Sequence, residues 1–233
     1  AASDVYKRQS WSEPAYWQMG LFADDWSAHW IGSAEMESQS VGGRPVDNKM
    51  FDPWFRKTFT LTESLKEALI YVASIGYHEL YVNGCKIGNA VLAPSVTDHK
   101  SRARYVTYDI SHYLKKGENV IALWLGTSWA VFPAYQRNDK PAIPMALAQA
   151  EITLTSGSKV RVITDGSWKT HASPNVLMGY WDAHHFAGEF YDASLEINGW
   201  NEAGFDDSEW AEAKVYQLSL IHISEPTRPE PIS

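Results

Sequence analysis

The sequence predicts an all-β fold, an antiparallel jelly-roll β-sandwich with short helical turns, on three observations. Short stretches alternate apolar and polar residues with a period of two, the period of a strand. Turn-forming pairs, Asn83-Gly84, Ser156-Gly157 and Asp165-Gly166, punctuate those stretches. No long amphipathic helix and no internal repeat interrupts the series, and many short strands with regular turns make a sandwich or jelly roll. The composition agrees. Eleven Trp, twelve Tyr and eight Phe belong to residue types that favour strands. With 45% apolar residues in 233, the chain can build a real core.

The elements follow in order. Residues 12 to about 32 read as loop, short turn and strand, centred on "DDWSAHWIG". "EMESQSVGGRPVDNKM" is polar and glycine-containing, so it reads as a loop. "WFRKTFTL" sets Phe55, Lys57, Phe59 and Leu61 against Arg56, Thr58 and Thr60, and "EALIYVASI" follows as a more buried strand. "GYHELYVNG" and "CKIGNAVL" form a hairpin, in which Asn83-Gly84 supplies residues that tolerate positive φ. "LAPSVTD" is its exit, with Pro94 fixing φ. "ARYVTYDI" is a strand, "SHYLKKGEN" a short helical turn ended by Gly117, and "VIALWLG", apolar on both faces, a central strand. "GTSWAVFPAYQRNDKPAIP" is a long irregular loop carrying Trp129, Phe132 and Tyr135. "MALAQAEITL", "KVRVIT" and "SWKTH" are three more strands, and "AGEFYDA" with "GWNEAGFDDSEWAEA" closes the domain.

The bulk numbers exclude several function classes. A net charge of -8 and a pI near 5.5 repel phosphate backbones, so nucleic acid is not an expected partner. No run approaches the roughly 18 apolar residues of a membrane-spanning helix. One cysteine, Cys85, allows no internal disulfide, and a small apolar role in a buried or half-buried place is its expected use. Trp at this density fills cores, and it also builds flat platforms on which sugar rings pack.

The two ends differ from the rest. "AASDVYKRQ" and "LSLIHISEPTRPEPIS" resemble translated sequencing-adapter read-through, and both are set aside from fold reasoning. The natural gene is then expected to extend beyond both edges.

The ordered set "DDWSAHWIG", "FRKTFTL", "GYHELYVNGCKIG", "LAPSVTDHKSRARYVTYDISHYLKKGENVIALWLGTSWA", "TDGSWK", "GEFYDA" and "W...GFDDSEW" resembles the N-terminal β-sandwich region of bacterial α-L-rhamnosidases. The resemblance runs from Pro14 to Val215; its specificity lies in the order, since "YVNG" hairpins occur in many galactose-binding-like domains. It implies a parent enzyme that releases terminal α-L-rhamnose with inversion. It also places the catalytic acids in a downstream (α/α)-barrel of the same chain, so no catalytic residue is assigned here. The expected organisation is residues 1–11 outside the fold and 12–53 leading in. An accessory sandwich at 54–215 and a tail at 216–233 outside the fold complete it. The expected partners are rhamnose-containing glycans or glycosides and the catalytic domain. Competing readings are a purely structural sandwich and a free-standing lectin-like protein. The substrate class points to a periplasmic or secreted home.

In some members of the family this domain binds L-rhamnose through calcium. The resemblance carries the metal positions onto Asn89, Asn138 and the carbonyl of Pro144, with Asp139 close by. Calcium takes oxygen ligands from loops. Ala90 departs from the pattern, because it puts a methyl where the family has a second amide or carboxyl. Asn89, Trp129, Tyr135, Arg137 and Asn138 are the candidate sugar-binding residues, hydrogen-bonding hydroxyls beside an aromatic floor. The alternative is that the loop aromatics plug the open end of the sandwich.

Inverting hydrolysis needs two carboxyl groups roughly 6.5–9.5 Å apart. Asp182, Glu189, Asp192, Asp206 and Asp207 are the local carboxyls, and capping or backbone satisfaction is their favoured reading. His184 and His185 are adjacent and on a strand would face opposite ways, which argues against a shared ion.

Overall fold

The computed structural model describes residues 19–38, 40–41, 44–45, 49–99, 101–131, 142–179, 188–217 and 222–224. It is a β-sandwich, as the alternation predicts. The strands are β1 (Trp30–Gly32), β2 (Ser40–Val41), β3 (Arg44–Pro45), β4 (Lys49–Leu61), β5 (Leu65–Ile75), β6 (Tyr77–Val82), β7 (Cys85–Lys86) and β8 (Arg102–Asp109). They continue with β9 (Gly117–Gly126), β10 (Met145–Leu154), β11 (Lys159–Ile163), β12 (Lys169–Met178), β13 (Gly188–Tyr191), β14 (Ala211–Glu212), β15 (Lys214–Tyr216) and β16 (His222–Ser224). One sheet runs β15-β1-β10-β5-β8-β16, with β11 beside β10; the other runs β13-β12-β4-β9-β6-β7, with β14 beside β12. From β4 to β6, and again from β8 to β10, each strand crosses to the opposite sheet, the jelly-roll habit. Pairing is antiparallel throughout except that β16, from the stretch set aside as a tail, runs parallel to β8. Among the described residues no helix is long and apolar enough to cross a membrane.

Three cores result. Phe55, Ile70, Val72, Leu80, Val82, Ile121, Leu123 and Ile152 fill the space between the sheets. The opposite faces of β5 and β10, through Tyr71, Ala73, Met145 and Leu147, pack under Trp30 and Met36, with Trp26 beside them. On the outer face of the other sheet Trp54 and Ala122 pack under Trp200 and Trp210. Burial on both sides explains why "EALIYVASI" and "VIALWLG" lack clean alternation.

Differences from the sequence reading have physical causes. "EMESQSV" is not all loop: Ala34–Ser38 is a short helix because Met36 has a fully buried place to go. β4 starts at Lys49, since Met50 and Phe51 are buried although their flanks are polar. Gly117 opens β9 with φ +96 rather than ending a helix. Cys85 is exposed, because β7 is a two-residue edge strand. The hairpin is frame: Asn83 (φ 49) and Gly84 (φ 83) make its turn. The Asn83 amide bonds Tyr113 O (2.8 Å), Asn119 Oδ1 (2.9 Å) and Val120 N (2.9 Å), locking the hairpin to β9.

Candidate functional site

The site follows from strand period on the outer face of the second sheet. Residues two apart on a strand share a face. β4 contributes Asp52 and Trp54, β6 contributes Glu79 and Tyr81, and β13 contributes Glu189 and Tyr191, an acidic residue followed by an aromatic one each time. Trp124 of β9 lies between the two ends, opposite both Trp54 and Glu79 in the ladders. At the acidic end is a cleft of about 360 Å³. Asp52, Asn175, Glu79 and Glu189 supply its polar groups, Tyr77 and Trp124 its aromatic walls, and Val91 and Leu92 its rim.

Asp52 sits fully buried at the floor. Its Oδ1 accepts from Thr127 N (2.6 Å) and Thr127 Oγ1 (2.5 Å), and its Oδ2 from Asn175 Nδ2 (2.5 Å). Burial pushes its carboxyl up from an ordinary 3.8 to about 6; the Thr127 and Asn175 bonds pull the other way, and the nearby Glu189 charge adds to the rise. His78, which also lines the cleft, bonds Ser74 Oγ (2.9 Å) through Nδ1 and Tyr108 Oη (3.0 Å) through Nε2. Burial lowers the His78 pKa to about 3, so the ring is neutral. Glu79 accepts from Tyr81 Oη (2.6 Å) and pairs with Lys86. The cleft thus offers carboxylate and amide acceptors around aromatic walls, a set suited to hydroxyl groups on a partly apolar ring.

The buried carboxyl gives a signed pH expectation. The folded pKa of Asp52 is raised, so the folded state holds its proton more tightly than the unfolded chain. Asp52 therefore costs stability increasingly as pH rises from about 4 to 6. His78 acts oppositely, its folded pKa being lowered, and stability is lost as pH falls from 6.5 toward 3. Asp52→Asn removes only the first effect. Measured by denaturant melts, the variant is expected to gain on the parent protein as pH rises from 4 to 7; a constant difference would contradict the assignment.

The residues expected from sequence are placed unevenly. Asn89 is exposed in the loop after β7, with Ala90 exposed beside it, directly ahead of the Val91–Leu92 rim. Pro144 is buried just before β10. Trp129 lies in a 3-10 turn, Ser128–Val131, and its side chain is outside the described residues. Tyr135, Arg137, Asn138, Phe132, Asp139, Asp182, His184 and His185 also lie outside them. Calcium takes 6–8 oxygens; of the expected set, the Asn89 amide and the Pro144 carbonyl are described, and these two do not make a calcium site alone. Among the described residues no group of three His, Cys, Asp or Glu could hold a metal ion.

The other carboxylates have structural partners. Asp192 accepts from Ser194 N (3.0 Å) and caps the 3-10 turn Ala193–Leu195. Asp206 accepts from Ser208 N (3.0 Å), and Asp207 pairs with the buried Arg56. Glu189, by contrast, lines the cleft from the edge strand. Sequence reasoning missed Asp52 and Asn175. The signal available was the recurrence of acidic-x-aromatic triplets in strand stretches.

Comparison with known proteins then bears on the fold and on the family. The family model for the alpha-L-rhamnosidase N-terminal domain matches residues 63–232. The chain is 30% identical over 230 residues to an alpha-L-rhamnosidase of Formosa agariphila, covering 95% of this chain and 24% of that protein. The solved alpha-L-rhamnosidase of Dictyoglumus thermophilum is similar with a TM-score of 0.71 and 30% identity, over 88% of this chain and 23% of that one. The Streptomyces avermitilis alpha-L-rhamnosidase, solved as a complex with L-rhamnose, is similar with a TM-score of 0.62 and 27% identity, over 72% and 16%. The chain spans about a quarter of the length of the curated relatives it matches.

Proposed function

From the premise that this chain belongs to the α-L-rhamnosidase N-terminal domain family, we propose that it is the non-catalytic sandwich of such an enzyme and holds rhamnose-bearing glycans or glycosides. The larger remainder of the parent protein then carries the hydrolytic groups, in keeping with relatives about four times longer. The observation that carries the reading is the cleft of about 360 Å³, where buried Asp52 and Asn175 meet the Trp124 wall. Its rim begins two residues after Asn89. A pyranose packs its C–H face on an indole, and its hydroxyls donate to carboxylate and amide oxygens.

The test is the intrinsic Trp fluorescence of the folded chain titrated with L-rhamnose, with calcium and then with a chelator. A saturable change is expected, lost in Trp124→Ala. Loss with the chelator as well would support Asn89, Asn138 and Pro144 as a metal-dependent part of the site. No change in any condition would overturn the sugar-binding reading.

A second reading has its own observation. All four residues of the edge strand β13 are exposed, Phe190 by 55% and Tyr191 by 44%, with Leu195 at 59% beside them. Exposed apolar groups at a sheet edge suit packing against another domain. A sandwich that only supports the catalytic part would bind no sugar.

A further inference from the structure

The aromatic end of the same face holds a second cleft, of about 200 Å³. Trp54, Trp124, Trp200 and Tyr191 form its walls, and Glu196 and Asn198 supply polar groups. Trp124 borders both clefts, so they adjoin across one indole. Strands run through from one to the other: Asp52 to Trp54 on β4 and Glu189 to Tyr191 on β13 each step by two residues, about 7 Å of strand rise. One wall carries an unanswered donor. Trp54 is buried, and among the described residues its indole N–H has no acceptor. A buried donor without a partner is costly, and an oxygen held in the cleft would relieve that cost.

The charge of the joined groove is one-sided. Asp52, Glu79, Glu189 and Glu196 line it, and among the described residues no Lys or Arg does. Lys86 is engaged with Glu79 at the margin. Juxtaposing a second carboxylate with these costs binding energy, so the groove discriminates against acidic sugars.

Resting on the sugar-binding reading above, we propose that the two clefts are adjoining subsites of one groove that takes a neutral rhamnosyl disaccharide. The rhamnosyl ring occupies the larger cleft and the next sugar stacks against Tyr191 and Trp124 in the smaller. Uronic-acid neighbours are disfavoured.

Calorimetric titration of the chain with three probes tests this. They are methyl α-L-rhamnopyranoside, α-L-rhamnosyl-(1→4)-D-glucuronic acid and the methyl ester of that disaccharide. The ester is expected to bind at least tenfold more tightly than the monosaccharide, and the acid at least fivefold more weakly than the ester. Tyr191→Ala and Asn198→Ala, both outside the cores, are expected to erase the disaccharide gain while monosaccharide affinity stays within twofold. If the monosaccharide binds and the ester binds no better, the second subsite is overturned and the sugar-binding reading stands. If acid and ester bind equally, the preference for neutral sugars is overturned. If no probe binds the folded chain, both readings fall.

Discussion

Asp207→Ala is expected to destabilise the domain by about 3 kcal/mol, the low end of the range for breaking a buried ion pair. The reason lies in what is left behind. The Arg56 side chain is fully buried, whereas that of Asp207 is 25% exposed. Without the carboxylate, the guanidinium keeps Glu202 O (3.0 Å from Nη2) and a long contact to Phe205 O (3.4 Å from Nη1). It also keeps the Phe205 ring, 5.1 Å from its Cζ. Among the described residues its Nε already lacks a partner. Carbonyl dipoles and one ring do not replace a counter-charge in a buried place. In a domain of this size each kcal/mol moves the melting temperature by about 2–4 °C, so a drop of about 6–12 °C should appear in thermal melts. The double variant Arg56→Met with Asp207→Leu removes charge and counter-charge together, and should recover at least half of that loss. A single-variant loss under 1 kcal/mol would mean that the pair is no more than a surface contact.

That ion pair marks the boundary of what the sequence could reveal. Asn83-Gly84 was legible because a hairpin turn is local chemistry: two residues tolerant of positive φ between alternating strands admit few other structures. The apolar run of β9 was legible as apolar on both faces, and that of β5 as a more buried strand. Arg56, however, reads as one more polar residue in an alternating strand, and its partner lies 151 residues away. The same is true of the site. Asp52 meets Asn175 across 123 residues, and the Asp52-Pro53-Trp54 triplet marks a face without naming that partner. Asn89 and Pro144 came instead from a family pattern. Asn89 lies two residues ahead of the rim in sequence and is exposed, while Asn138, their expected companion, lies outside the described residues. Tryptophan density proved ambiguous in the way its chemistry suggests. Trp54, Trp200 and Trp210 fill a core, and half-buried Trp124 walls a groove.

Trp54→Ala is expected to cost about 3–5 kcal/mol, the range for emptying a buried aromatic site. Trp54 is 2% exposed and holds the third core together. Its ring stacks on Trp200 at 4.5 Å and 11° and lies nearly parallel to Trp210 at 6.3 Å and 9°, with Trp124 edge-on at 5.9 Å. Few other buried side chains share that core, so neighbours cannot close the gap by small shifts. The core between the sheets is a separate cluster, and the β4–β9 ladder from Trp54 to Leu61 keeps its backbone bonds. The damage should therefore be uneven. Residues 197–210, which cover the outer face, should lose amide-exchange protection well before the ladder does, a local opening beneath global unfolding. Trp54→Phe, which retains a flat ring, should keep most of that protection. Equal loss of protection in both sheets would show that the outer strap and the sandwich unfold as one unit. It would also mean that the aromatic wall of the smaller cleft cannot be loosened without unfolding the domain that presents it.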